Sequence, residues 1–199
     1  MSSSPEQTAL FACGPLRARE LGTGDVPALQ RFFENNPEYF LSVNGQGPDS
    51  VEAQREFDDL PPDGMPFGRI WRLGFVDEAD RLVGMATVLS DFIVAGTWHI
   101  GLFVVATALH GTGLSQTIYR QLERWIADSG GRWVRLGVVQ GNVKAERFWL
   151  QVGYTQVRER GPVTMGLRSN MLRVMVKPLA GGALADYLAQ MVRDRPGTS

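Results

Sequence analysis

The sequence predicts an α/β protein of the α+β kind, with one central, mostly antiparallel mixed sheet flanked by helices. Three observations carry this. Residues 98–105 and 133–139 are apolar runs of strand length that read as buried. Between them, Leu114, Ile118, Leu122, Trp125 and Ile126 recur at the spacing of one helical face. Elsewhere strand-like and helix-like stretches alternate along the chain, which favours a sheet covered by helices over segregated layers. A chain of 199 residues that is 44% hydrophobic can bury one good core, and this length favours a single domain.

Taken in order, residues 1–14 read as a flexible polar leader, residues 15–179 as the folded domain, and residues 180–199 as a short helix and tail. Residues 16–21 alternate as a first strand would. Asp25 suits the N-cap of a helix with Pro27 in its first turn and Val26, Leu29, Phe32 and Phe33 on its buried side. Pro37, Gly45, Gly47 and Pro48 then break the chain before a second short helix at 49–58. After Pro61 and Pro62, strands are predicted at 69–76 and 82–89, joined by an acidic turn. Asn142 can cap, and Gly153 can end, a helix whose buried side carries Ala145, Phe148, Trp149 and Val152. Residues 154–158 and 171–176 complete the sheet as antiparallel partners. Leu184, Leu188 and Met191 share one side of a helix at 183–193, which either packs on the domain or mediates a homodimer.

Composition narrows the function classes. A formal net charge of -1 argues against a dedicated nucleic-acid binder. One cysteine excludes an internal disulfide and suits a cytoplasmic protein. No stretch approaches the ~20 apolar residues that span a bilayer, so no membrane partner is expected. Two histidines and one cysteine make a dedicated metal site unexpected.

The most informative stretch is 99–154. A strand ending at Val105 is followed by His110-Gly111-Thr112-Gly113-Leu114-Ser115, a glycine turn that opens a helix. Such a turn presents unpaired N–H groups and the positive end of the helix dipole, which bind phosphate. Another strand follows, and then Asn142, Ala145, Phe148, Trp149, Gly153 and Tyr154 in fixed spacing. This ordered set resembles the GCN5-related N-acetyltransferase (GNAT) superfamily.

The resemblance spans roughly residues 16–178, with its motif confined to 99–154. It implies an enzyme that uses acetyl-CoA as acetyl donor and an amine as acceptor. The family's phosphate loop, Arg/Gln-x-x-Gly-x-Gly/Ala, fits two registers, starting at Ala108 or at His110; the second also aligns Ile118, Tyr119 and Leu122 with the family's apolar helix positions. Here His110 and Ser115 depart from the pattern, but the backbone still supplies the donors. By the same resemblance, Phe103, Val104 and Val105 would hold the pantetheine arm. Asn142, Ala145 and Phe148 would face the cofactor, and Asn142 can cap its helix as well. Arg120, Lys144 and Arg147 are within range of the nucleotide phosphates or are simply solvated. Trp149 stands where many members carry a tyrosine proposed to protonate the departing thiolate. An indole cannot act as such an acid, and Tyr154, a few residues on, is either a substitute or simply a strand aromatic.

The acceptor side is sketched by charge. Between residues 34 and 63 eight acids, Glu34, Glu38, Asp49, Glu52, Glu56, Asp58, Asp59 and Asp63, face one base, Arg55. An acidic lobe there attracts a cationic amine, unless these acids merely solvate two short helices. Tyr39 and Phe40 are candidates for an aromatic wall of the acceptor site, or for core. His99 is the candidate catalytic base: it precedes Val105 by six residues, where some members carry a glutamate or histidine, and simple alternation puts it on one face with Gly101, Phe103 and Val105. Asp91 is the reserve candidate at the acceptor site. The expected function is acetyl transfer to the primary amine of a small molecule by direct attack in a ternary complex. Transfer to a protein N-terminus or lysine is the alternative, as is a non-catalytic acyl-CoA-binding domain.

Overall fold

The computed structural model describes residues 9–197. An eight-stranded sheet runs β1 (Phe11–Cys13), β2 (Leu16–Glu20), β3 (Ile70–Val76), β4 (Leu82–Leu89), β5 (Thr97–Val105), β6 (Trp133–Val139), β7 (Thr155–Met165) and β8 (Arg168–Pro178) in sequence. Its spatial order is β1-β2-β3-β4-β5-β6-β8-β7. Every neighbouring pair is antiparallel except β5 and β6. A parallel pair needs a crossover, which α4 (Leu114–Asp128) supplies. The other helices are α1 (Val26–Asn35), α2 (Glu38–Asn44), α3 (Glu52–Asp58), α5 (Val143–Gln151) and α6 (Leu184–Gln190). Among the described residues no helix is long and apolar enough to cross a membrane.

The two sheet faces have separate cores. On one face, Ile118, Tyr119, Leu122 and Ile126 of α4 pack with Phe75, Ala86, Val88, Ile100 and Leu136 of the sheet. The helical stripe read from the sequence is therefore the stripe that is buried, and at full burial each such side chain contributes roughly 1.5–3 kcal/mol. On the other face, Leu29, Phe32 and Phe33 of α1 cover Met85, Leu102 and Val104. Farther along that face, Tyr187 and Met191 cover Trp133, Val174 and Val176. The space between these two coverings is where the site lies.

Several local expectations change. Phe11–Cys13, read as part of the leader, forms strand β1 against β2. Its apolar side chains explain this: Cys13 is fully buried, and Phe11 stacks on Trp125 with centroids 5.6 Å apart. Residues 1–8 lie outside the described residues. Asp25 precedes α1 but does not cap it; its carboxylate accepts instead from Arg19 at 2.8 and 3.1 Å and from the Gly22 amide at 2.8 Å. A buried guanidinium on a strand is the stronger donor. Asn142 does cap its helix, accepting from the Ala145 amide at 3.2 Å.

Residues 38–44 form α2, where only a break was expected, because Pro37 starts a helix as readily as it ends one. The strands predicted at 154–158 and 171–176 extend into a long hairpin, whose tip is tied to the end of α2. Arg168 donates to the Ser42 carbonyl at 2.8 Å, and Asn170 donates to the Val43 carbonyl at 2.9 Å. The segment after α6 folds back on the sheet. There Arg135 pairs with Asp194 at 2.7 and 3.1 Å, and the Tyr187 hydroxyl donates to Asp194 at 2.5 Å.

Candidate active site

The site begins with a divergence of two strands. β5 and β6 pair only from Thr97–Trp133 to Ile100–Leu136. Beyond these residues they part, leaving the facing edges of 101–105 and 137–139 open. The departure coincides with a bulge in β5, where Ile100 pairs with Val88 and Leu102 with Thr87, so that Gly101 has no partner. A bulge adds one residue, bends its strand and reverses the alternation that follows. His99, Leu102 and Val104 therefore share the face covered by α1, while Phe103 and Val105 lie on the α4 face. The expectation that His99, Gly101, Phe103 and Val105 share a face fails for this reason.

Three cavities adjoin around the divergence. The largest, about 540 Å³, is lined by Phe103, Val104 and Val105 from β5, His110, Gly111 and Ser115 from the glycine turn, and Asn142, Ala145 and Phe148 from α5. Tyr39, Lys144, Arg147 and Trp149 complete much of its wall. A second, about 240 Å³, fills the divergence itself and shares Phe103, Asn142, Ala145 and Trp149 with the first. A third, about 270 Å³, lies toward α3 and shares His99, Gly101, Arg135 and Arg160 with the second.

The glycine turn shapes the first cavity. Gly111 and Gly113 have φ of 79° and 84°, and a Cβ built on either meets no atom within 4 Å. The Thr112 hydroxyl donates to the Leu109 carbonyl at 2.7 Å and accepts from the Leu114 amide at 3.3 Å, which folds the turn. Leu114 packs on the core. Thr112, Gly113 and Leu114 thus build the turn without lining the cavity. Within the described residues, the amides of Gly111, Gly113, Ser115 and Gln116 donate to no protein acceptor. This cradle of free donors at a helix start, with Lys144 and Arg147 on the opposite wall, fits a phosphate-bearing ligand. Arg120 is exposed and lines none of the three cavities. The His110 ring bonds the Val105 carbonyl at 3.0 Å, so it secures the turn to the end of β5.

His99 sits half-buried between the second and third cavities, stacked on Phe92 with centroids 4.6 Å apart. Its Nδ1 lies 3.1 Å from the Arg135 carbonyl and 3.4 Å from the Arg135 Nη1; the shorter contact goes with a proton on Nδ1, the tautomer that leaves Nε2 as an acceptor. Burial and then the Arg135 charge push its pKa down to about 3. The ring is neutral at any ordinary pH.

Sequence reasoning gave no special role to Glu56. Arg72 donates to the Glu56 and Phe57 carbonyls at 2.9 and 2.7 Å, pinning the end of α3 to the sheet. The Glu56 carboxylate then reaches the third cavity and accepts a short hydrogen bond from Thr87. Burial raises its pKa above the usual carboxylate value despite that bond. The only sequence signal was its place among eight acids. Of the others, Asp49 and Glu52 are taken by Arg55, while Asp59 lines the same cavity as Glu56.

Other candidates fall outside the cavities. Phe40 is core, edge-on to Phe33 at 4.9 Å, because the helical turn of α2 points it away from Tyr39's side. Asp91 occupies the β4–β5 turn with φ of 49° and accepts from the Gly96 amide at 2.7 Å, a turn-building role. Tyr154 is buried and its hydroxyl accepts from that of Tyr119 at 3.0 Å. Cys13 is buried in β1, its thiol pushed up to about 12 by desolvation.

The sheet is mixed and parts at its one parallel pair, beside a glycine turn whose free amides suit a phosphate-bearing ligand. The chain belongs to the acetyltransferase (GNAT) family, whose profile matches residues 29–154. Among solved structures, an acetyltransferase from Thermus thermophilus is 25% identical, with a TM-score of 0.64 over 86% of this chain and 100% of that one. The spermidine N-acetyltransferase from Vibrio cholerae, in complex with CoA and spermine, is 16% identical, with a TM-score of 0.64 over 83% and 96%. The ribosomal-protein-S18-alanine N-acetyltransferase from Escherichia coli is 14% identical, with a TM-score of 0.60 over 85% and 97%. These last two likenesses concern the fold. No curated protein matches the sequence.

Proposed function

We propose that the protein transfers an acetyl group from acetyl-CoA to the primary amine of a small molecule, by direct attack with both substrates bound. The observation that carries this is the series of adjoining cavities, running from the glycine turn through the parted strands to the wall of His99 and Glu56. In this reading the turn's free amides, Lys144 and Arg147 hold the phosphates. The open edge of β5 at 103–105 takes the extended arm. Acetyl-CoA supplies an acyl thioester whose thiol, with a pKa of ~8.5, leaves readily as thiolate, so Trp149 need not donate a proton. Direct attack is favoured because the one cysteine is buried and lines none of the cavities.

The remaining chemistry belongs to the acceptor's proton. An alkyl amine has a pKa of ~10.4 and must shed a proton to attack. A ring with so low a pKa cannot keep that proton, so Nε2 of His99 orients the amine as a hydrogen-bond acceptor. Glu56, whose pKa burial raises above the ordinary carboxylate value, is the better-matched base. A third cavity of about 270 Å³ is just below the ~300–1,000 Å³ of drug-sized sites, which favours a small acceptor.

The test is release of free CoA from acetyl-CoA over a panel of amines and amino acids, with the acetylated product identified. Binding of acetyl-CoA without release on any acceptor would identify a binding domain instead. For the donor site, Gly113→Val puts a β-branched residue at a φ of 84°, which it disfavours, so the turn and its free amides shift although the new side chain meets no neighbouring atom. Acetyl-CoA affinity should fall about tenfold or more, a change of ~1.4 kcal/mol, in a protein that still folds. Calorimetry giving an unchanged Kd would remove the turn from the donor site.

A further inference from the structure

The acceptor cavity carries charges of both signs. Glu56 and Asp59 come from the α3 side, Arg135 from β6, Arg160 from β7 and Arg193 from the segment after α6. Arg160 lines both the acceptor cavity and the space between the parted strands, together with His99 and Gly101. The cations around it are engaged. Arg135 is held by Asp194 at 2.7 and 3.1 Å, and Arg158 donates to the Arg193 and Glu159 carbonyls. Asp194 is committed to Arg135 and Tyr187. Among the described residues Arg160 itself makes no ion pair and no side-chain hydrogen bond.

A guanidinium left without a carboxylate among other cations calls for an anion, and its planar fork matches a carboxylate in two parallel hydrogen bonds. Desolvation and then repulsion from Arg193, Arg135 and Arg158 lower its pKa, against a smaller attraction to Asp194. A polyamine would meet this cation head-on. We infer that the acceptor is a free amino acid, its carboxylate held by Arg160 and its amine set between His99 and Glu56. This rests on the acetyltransferase reading and refines its substrate class.

The experiment compares amino acids with their decarboxylated amines, lysine against cadaverine and phenylalanine against phenethylamine, in wild type, Arg160→Gln and Arg160→Lys. Wild type should favour the amino acid by about 5-fold in kcat/KM, the upper worth of a partly exposed charge pair. Arg160→Gln should raise KM for the amino acid by a similar factor and lower KM for the plain amine, which no longer meets the cation, with the acetyl-CoA Kd as the check on the donor site. Arg160→Lys should recover part of the loss. Wild type favouring the plain amines, or Arg160→Gln shifting both classes alike, overturns the amino-acid assignment while leaving acetyl transfer intact. Acetyl-CoA bound with no acceptor turned over overturns both.

Discussion

Asp194→Ala is expected to destabilise the protein by about 3–5 kcal/mol, because it strands Arg135 as an unpaired charge in the interior. Both groups are nearly fully buried, with side-chain exposures of 6% and 1%. The variant also leaves the Tyr187 hydroxyl without its acceptor, loosening the cover over Trp133 and Val176. A protein of this size should lose roughly 10 °C in Tm. The double variant Arg135→Met/Asp194→Leu should recover most of the loss, since a well-packed apolar pair replaces a buried ion pair at little net cost. The pH dependence has a definite sign. Burial works to raise the Asp194 carboxyl, but Arg135 and Tyr187 hold it below the usual carboxylate range. Its stabilisation is therefore present above the unfolded value of ~3.9 and is lost as pH falls through the folded one. Denaturant melts should show the gap between wild type and Asp194→Ala closing only under that acid condition. A gap that is small at pH 7 would mean that the ion pair contributes nothing.

Glu56→Gln is expected to lower kcat by about 100-fold or more, the usual worth of a positioned general base. Gln keeps the size of the side chain and its bond to Thr87, so the fold should hold. In wild type, the rate should fall on the acid side with an apparent pKa above the ordinary ~4.3 of a glutamate, as burial dictates. That limb should vanish in Glu56→Gln and persist in His99→Ala, whose own effect falls on KM and on the orientation of the amine. A limb near pH ~6.5, the ordinary imidazole value, that disappears with His99→Ala would instead return the proton to the histidine, as the sequence alone suggested. Measuring the acetyl-CoA Kd alongside separates either outcome from a damaged donor site.

His99 illustrates how far the sequence reaches. Its residue type, its strand and its distance from the glycine turn were legible. Its face was not, because the bulge at Gly101 reverses the alternation between it and Phe103. A bulge depends on how two strands pair, and pairing is not written in either strand alone. Its protonation was equally out of reach, since the Arg135 neighbour sits 36 positions away in sequence and across the parallel pair.

What the sequence determined by itself was local and periodic. The 3.6-residue stripe of α4, the apolar runs of β5 and β6, the cap at Asn142 and the glycine turn all depend on interactions within a few residues, so spacing alone reveals them. The same locality explains what stayed open or was misread: Asp25 looked like a cap until Arg19 was brought beside it, and Phe40, open between cavity wall and core, is placed in the core by α2. Tertiary structure decided which of eight acids reach the acceptor cavity, that Arg160 joins them there, and where the sheet parts. Those are questions of desolvation and of charges brought together from distant segments, and only the packed fold sets the dielectric and the neighbours that answer them.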